Sequence, residues 1–206
     1  MPASSDFGFR HVHEPGTAPA LLLLHGTGGD ETDLIPLARH VAPGSAILSP
    51  RGNVSESGMP RFFRRFAEGV FDLEDVARRA DELAGFIGEA TAAYDLPTPV
   101  AVGFSNGANI AAAMMLRHPQ ALAGAALIRA QPTLIPDALP HLGGVPILIL
   151  SGDRDPIVSA YDSNGLAATL EAAGADVRHE TLQAGHSLTQ RDVDLLKDWL
   201  AGLGLV

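Results

Sequence analysis

An α/β architecture is predicted: three layers, with helices on both faces of a mostly parallel central sheet. Three observations carry it. Short apolar runs of strand length alternate along the 206 residues with segments of helical periodicity. The runs are apolar at every position rather than at every second one, as in strands covered on both faces. Polar residues able to do chemistry fall just after those runs, where ligands of such sheets bind.

The elements follow in order. Phe7 to His13 can form a first strand, and Ala20 to Leu24 is a continuous apolar run ended by His25-Gly26. Asp33 to Val41 reads as a short helix and Ala46 to Leu48 as a strand. Asp72 to Tyr94 is the longest helical pattern, with Leu73, Val76, Ala80, Leu83, Phe86 and Ile87 recurring at three and four. Val100 to Val102 is a strand. Ala108 to Arg117 is its helix, stopped near Pro119. Ala123 to Ile128 and Val145 to Leu150 are strands. Ser159 to Ala173 is a helix ended by Gly174, Asp176 to Leu182 the last strand, and Thr189 to Leu203 the closing helix. Arg51 to Phe71 is left as a long connection without strong periodicity. No composition shift or repeat divides the chain, so residues 1–206 are read as one domain with 51–71 as a loop flanking the substrate.

Composition narrows the function. The net charge of −10 is spread along the chain, which argues against nucleic acid or an anionic membrane as partner. There is no cysteine, so disulfide scaffolds, thiolate nucleophiles and cysteine metal ligands are excluded. Met1 to Phe9 lacks a signal-peptide pattern and no run is long enough for a membrane span, so a cytoplasmic location without membrane insertion is expected.

The chemistry centres on Gly103-Phe104-Ser105-Asn106-Gly107, set between an apolar strand and a helix. A serine on such a sharp turn needs small residues at both two-residue offsets, and the turn aims the first helical amides at whatever the hydroxyl attacks. Serine is a weak nucleophile unless a base lies in hydrogen-bond reach and a third group fixes that base. Of eight histidines, only His186 follows the last strand, beside Gly185. The acid is Asp153 or Asp155, both after the Val145–Leu150 strand. Asp155 is preferred because Pro156 holds its backbone extended and rigid. The loop His25-Gly26-Thr27-Gly28-Gly29 lets backbone amides approach a ligand, so the amides of Thr27 and Asn106 are the expected oxyanion donors.

Other readings fit less well. A dinucleotide loop at Gly26-Thr27-Gly28 fails because Glu31 stands at the third glycine position. A metal site at His11-Val12-His13 has no supporting carboxylate cluster. No cofactor or metal is expected.

Taken together and in order, HGTGGDETDL, LSPRGN, GMPRFF, VGFSNGANIA, SGDRDPIV and AGHSLT resemble the bacterial phospholipase/carboxylesterase family of α/β-hydrolases, and within it the carboxylesterases associated with hydroquinone and quinone resistance. The family is related to the acyl-protein thioesterases. The resemblance spans about Leu21 to Leu200. It implies Ser105 as nucleophile, Asp155 as acid, His186 as base, Thr27 and Asn106 as oxyanion residues, no cofactor, and often a homodimer. It implies a carboxylesterase acting on small or medium-chain esters. The alternatives are an acyl thioesterase or lysophospholipase, or a non-catalytic ligand-binding module on the same fold. The sequence departs from the thioesterase branch at Asn106, where glutamine is usual, at Thr27, where leucine is common, and at Phe62-Phe63, where a tryptophan-containing segment is usual. Phe62 and Phe63 are expected to line an acyl or aryl pocket, and Arg61, Arg64 or Arg65 to bind an anionic group of the substrate.

Overall fold

The strand-length apolar runs assemble into one sheet. In the computed structural model, which describes residues 6–16 and 18–203, seven strands are involved. They are β1 (His11–Glu14), β2 (Ala18–Leu24), β3 (Ser45–Pro50), β8 (Val100–Phe104), β9 (Gly124–Ile128), β10 (Pro146–Gly152) and β11 (Asp176–Leu182). Their order is β1-β3-β2-β8-β9-β10-β11, with β1 antiparallel to β3 and every other pairing parallel. Residues 1–5, 17 and 204–206 of the expected 1–206 unit lie outside the described residues, as does most of the Met1–Phe9 stretch.

Successive residues of the central strands face opposite helical layers, which explains why those runs are apolar throughout, whereas the edge strands β1 and β11 carry polar residues. Leu22, Leu24, Ala101, Leu127 and Ile149 pack on one side with α2 (Leu73–Tyr94), α3 (Asn106–Arg117) and α4 (Ala160–Ala172). Leu21, Leu23, Val102, Ile128 and Leu150 pack on the other with α1 (Ile35–Val41) and α5 (Gln190–Gly202). Helices α2, α4 and α5 start where a side chain caps them. Asp72, Ser159 and Thr189 each accept an amide of the first turn, and Thr189 forms a reciprocal capping box with Asp192.

Away from the serine turn, three departures from expectation stand out. Residues Asp6–Gly8 form a single 3₁₀ turn, with Phe7 at φ 65° and Gly8 at φ 78°, so the edge strand starts at His11 rather than Phe7. Helix α1 begins at Ile35 rather than Asp33, because the Asp30 carboxylate holds Thr32 in a preceding turn. The 51–71 connection is not a plain loop. It folds as two antiparallel hairpins, β4 (Val54–Glu56) with β5 (Met59–Arg61), and β6 (Arg65–Ala67) with β7 (Val70–Phe71). Each is too short to show a two-residue hydrophobic alternation in the sequence.

The chain leaves β2 toward β3 on one side, then returns to β8 on the other and continues outward through β9, β10 and β11. The change of direction opens a crevice beyond the carboxyl ends of β2 and β8.

Candidate active site

Ser105 occupies that crevice. Strand β8 ends at Phe104 and α3 begins at Asn106, leaving Ser105 alone between them at φ 50°, ψ −115°. That backbone is unfavourable for a side-chain-bearing residue and persists because the surroundings hold it. The Ser105 amide donates to the carbonyl of Ile128 at 2.8 Å. Neither flanking glycine has room for a side chain. A Cβ at Gly103 would meet the Ala108 Cα at 2.7 Å, and one at Gly107 would meet the Leu24 carbonyl oxygen at 2.0 Å. The helix starts at Asn106 rather than Ala108 because the turn feeds straight into it.

His186 reaches in from the loop after β11. Its Nε2 lies 2.9 Å from Ser105 Oγ and its Nδ1 lies 2.8 Å from Asp155 Oδ2. The other carboxylate oxygen, Asp155 Oδ1, accepts the amides of Ile157 at 2.8 Å and Val158 at 3.1 Å. The Asp155 side chain is fully buried. Burial by itself raises its pKa, but the two amides and His186 outweigh that and hold the carboxyl below its ordinary value. Asp155 therefore stays ionised, and its partner on Nδ1 leaves Nε2 free to accept a proton from Ser105. Asp153, the other candidate acid, binds the Ala184 amide at 3.1 Å and Arg154 at 3.3 Å, tying β10 to the loop that carries His186.

Ser105 and His186 open onto a cavity of about 330 Å³ that Thr27 and Asn106 also line. The Asn106 amide is the first of α3, a position without a helical acceptor. Its side-chain Oδ1 accepts the Phe62 amide at 2.7 Å, which fastens the 51–71 segment to the helix start. Thr27 is held from the same segment: Arg61 Nη1 donates to its Oγ1 at 2.6 Å.

Of the five residues expected at the substrate, Phe62, Phe63 and Arg64 are placed elsewhere, whereas Arg61 and Arg65 line the cavity. Phe62 is 2% exposed, with its ring 4.8 Å from that of His25. Phe63 is fully buried and packs edge-on against Phe71 at 5.4 Å. Neither lines the cavity. Arg64 is exposed, and its guanidinium binds Asp72 at 2.7 Å, away from the cavity. The segment instead supplies Met59, Arg61, Arg65, Glu68 and Phe71, facing Phe104, Asn109, Gln131 and Ile157. Both arginines are already paired: Arg61 with Glu56 at 3.2 Å, and Arg65 with Glu56 at 3.0 Å and with Glu68. The segment's own contacts decide this: β5 ends at Arg61, and beyond it the Phe62 amide is held by Asn106 while the Phe63 ring packs against Phe71. The sequence points to the right segment and to Arg61 and Arg65, but not to the inward facing of Phe62 and Phe63.

A doubly wound sheet with a strand–serine–helix turn at its switch point, and an imidazole and a buried carboxylate at the next strand ends, defines an α/β-hydrolase. Residues 12–203 match the model of the phospholipase/carboxylesterase family, and the chain belongs to that family. It is 41% identical over 193 residues to the putative hydrolase MhqD of Bacillus subtilis, covering 92% of this chain and 96% of that protein. Among solved structures, it is similar to a Bacillus cereus carboxylesterase, with a TM-score of 0.93 and 44% identity over 96% of each chain. A carboxylesterase from Mesorhizobium loti gives a TM-score of 0.92 and 31% identity over 98% of each chain. The protein is accordingly a hydrolase of the carboxylesterase class.

Proposed function

We propose that this chain is a serine carboxylesterase that cleaves small or medium-chain carboxylic esters through an acyl-enzyme. One observation carries the reading: the His186 ring bridges Ser105 Oγ at 2.9 Å and Asp155 Oδ2 at 2.8 Å, although the three residues come from separate strand ends. Ser105 Oγ attacks the ester carbonyl carbon while His186 Nε2 takes the hydroxyl proton. Asp155 orients the ring and stabilises its charged form. The amides of Thr27 and Asn106 hold the negative oxygen of the tetrahedral intermediate. His186 then gives the proton to the leaving alcohol. A water attacks the acyl-enzyme with His186 again as base, releasing the acid and restoring Ser105.

The cavity supports a modest acyl or alcohol group. Its apolar walls, Met59, Phe71, Phe104 and Ile157, come from both sides of the serine, and its volume is about 330 Å³. In this reading, residues 51–71 are the substrate-flanking part of a single domain. The reading includes a cytoplasmic homodimer, which sedimentation of the purified protein tests for its oligomeric part. An acyl thioesterase or lysophospholipase would use the same residues, and a panel of oxygen esters, thioesters and lysophospholipids separates the three.

The central test is chemical. Exposure to a fluorophosphonate is expected to add one adduct, mapped by mass to Ser105, and Ser105→Ala is expected to abolish both labelling and turnover. Asp155→Asn is expected to lower kcat by about 10⁴ through loss of the ring's orientation. Unlabelled protein and equal turnover in Ser105→Ala would instead identify a binding module or another nucleophile.

A further inference from the structure

Arg129, the residue that follows β9, is fully buried with its charge, in the left-handed region at φ 56°. Such a conformation is unfavourable for arginine, and the side chain it directs makes five hydrogen bonds. Nε donates to the carbonyl of Gly185 at 2.9 Å and Nη2 to that of Ser187 at 3.2 Å. Nη1 donates to the carbonyl of Leu150 at 3.2 Å. Nη1 and Nη2 also engage both carboxylate oxygens of Asp192, at 2.8 and 2.9 Å. The guanidinium thus grips the residues on either side of His186. Asp192 carries the grip into α5, because its Oδ2 also accepts the Thr189 amide at 2.8 Å and the Thr189 hydroxyl at 2.7 Å.

The same short segment holds the other half of the site. Ile128 accepts the Ser105 amide at 2.8 Å, and the Gln131 amide donates to Asn109 Oδ1 at 2.9 Å on α3. Residues 128–131 are therefore a common anchor for the serine turn and the histidine loop, which lie 81 residues apart in sequence.

We propose that Arg129, clamped by Asp192, is a positioning residue that sets the His186–Ser105 geometry by binding the carbonyls of Gly185 and Ser187. This rests on the reading of His186 as general base. A buried ion pair contributes little net stability over an apolar pair of similar size, whereas a fixed fork of five donors spans three carbonyls and a carboxylate at once. Lysine carries the charge but cannot make that span.

The experiment compares Arg129→Lys with the double variant Arg129→Met/Asp192→Leu, which removes both buried charges together. Each is assayed on its folded fraction, measured by urea unfolding, well below its transition. The expected result is a kcat lower by about 100-fold with KM within about threefold of wild type, since a misplacement near 1 Å costs that much. Loss or broadening of the low-field proton resonance of His186 Nδ1–H is expected alongside, a signature that a purely structural role would leave intact. Wild-type kcat in either folded variant, within about threefold, overturns the proposal. Ser105→Ala is run in parallel. An inactive Ser105→Ala beside a fully active Arg129→Lys sinks the clamp alone, whereas an active Ser105→Ala sinks the underlying reading.

Discussion

Arg61 donates to Thr27 across 2.6 Å and so joins the hairpin β4–β5 to the loop that follows β2. The arginine side chain is only 3% exposed, lies 5.7 Å above the Phe63 ring and also reaches the Phe63 carbonyl at 3.2 Å. Thr27 thus stands against a rigid support, which matters if its backbone amide must meet a developing oxyanion without rearrangement. Thr27→Val removes the acceptor but keeps the amide and the shape. The expected outcome is a kcat lowered by about tenfold with little change in KM, and wild-type kinetics in Thr27→Ser. Steady-state assays on one activated ester decide it.

Glu68 partners Arg65 at the cavity wall. With Glu56 also in contact, the charges of Arg61 and Arg65 are matched, so among the described residues the cavity wall offers no unmatched arginine to an anionic substrate. Glu68→Gln is expected to lower KM for a dicarboxylic half-ester by about fivefold, the worth of one exposed charge pair, and to leave a neutral ester of equal length unchanged. Equal effects on both esters would contradict this account.

At Gly107, α3 lies tight against the end of β2. Gly107→Ala places a carbon 2.0 Å from the Leu24 carbonyl oxygen, which belongs to a buried strand and cannot move aside. Destabilisation of about 3 kcal/mol or more is expected in urea unfolding, with loss of activity in what folds. Gly165, with nothing near its side-chain position inside α4, provides the control: Gly165→Ala is expected to stabilise by about 1 kcal/mol.

His25 links the loop after β2 to the start of the 51–71 segment. Its Nδ1 donates to the Gly26 carbonyl at 2.7 Å, and its Nε2 accepts the Gly52 amide at 3.0 Å, so the ring is neutral. Burial, the strongest influence, lowers its pKa from 6.5, and the pull of Gly26, Asp33 and Asp30 in the other direction does not reverse this. As pH falls, the unfolded chain therefore takes up the proton first. The stability tied to a neutral His25 is complete above about pH 6.5 and declines as pH falls toward the lower folded value. His25→Asn is expected to be less stable than wild type at pH 7 and to lose less stability than wild type between pH 7 and 5. Parallel unfolding titrations of the two proteins check the slope.

The serine turn, the histidine loop and the pair of candidate acids are legible in sequence because each rests on local chemistry. Gly103 and Gly107 are required by contacts under 3 Å, and a glycine–serine–glycine pattern between a strand and a helix advertises that crowding. Asp155 and Asp153 differ by one alternate step in a turn, and Pro156 is the signal that favours the former. The substrate wall is not legible in the same way. Residues 51–71 form hairpins of two or three residues per strand, whose facing is set by contacts such as Phe62 to Asn106, 44 residues away. Arg129 gives no sequence signal at all: it is one arginine after an apolar strand, and its partners lie 56 and 63 residues further along.

Hydrophobic periodicity and the steric demands of glycine turns thus dictate the layered sheet, the position of Ser105 and the strand ends from which His186 and Asp155 come, since these depend on neighbours a few residues apart. Which side chains wall the cavity, and what holds the imidazole against the hydroxyl, depend on long-range packing: Arg61 reaches the cavity where β5 pairs with β4 in one register and lies against Thr27, and Phe63 joins the core beyond the end of β5. That register is settled by burial and charge pairing among residues remote along the chain, where no local pattern records it.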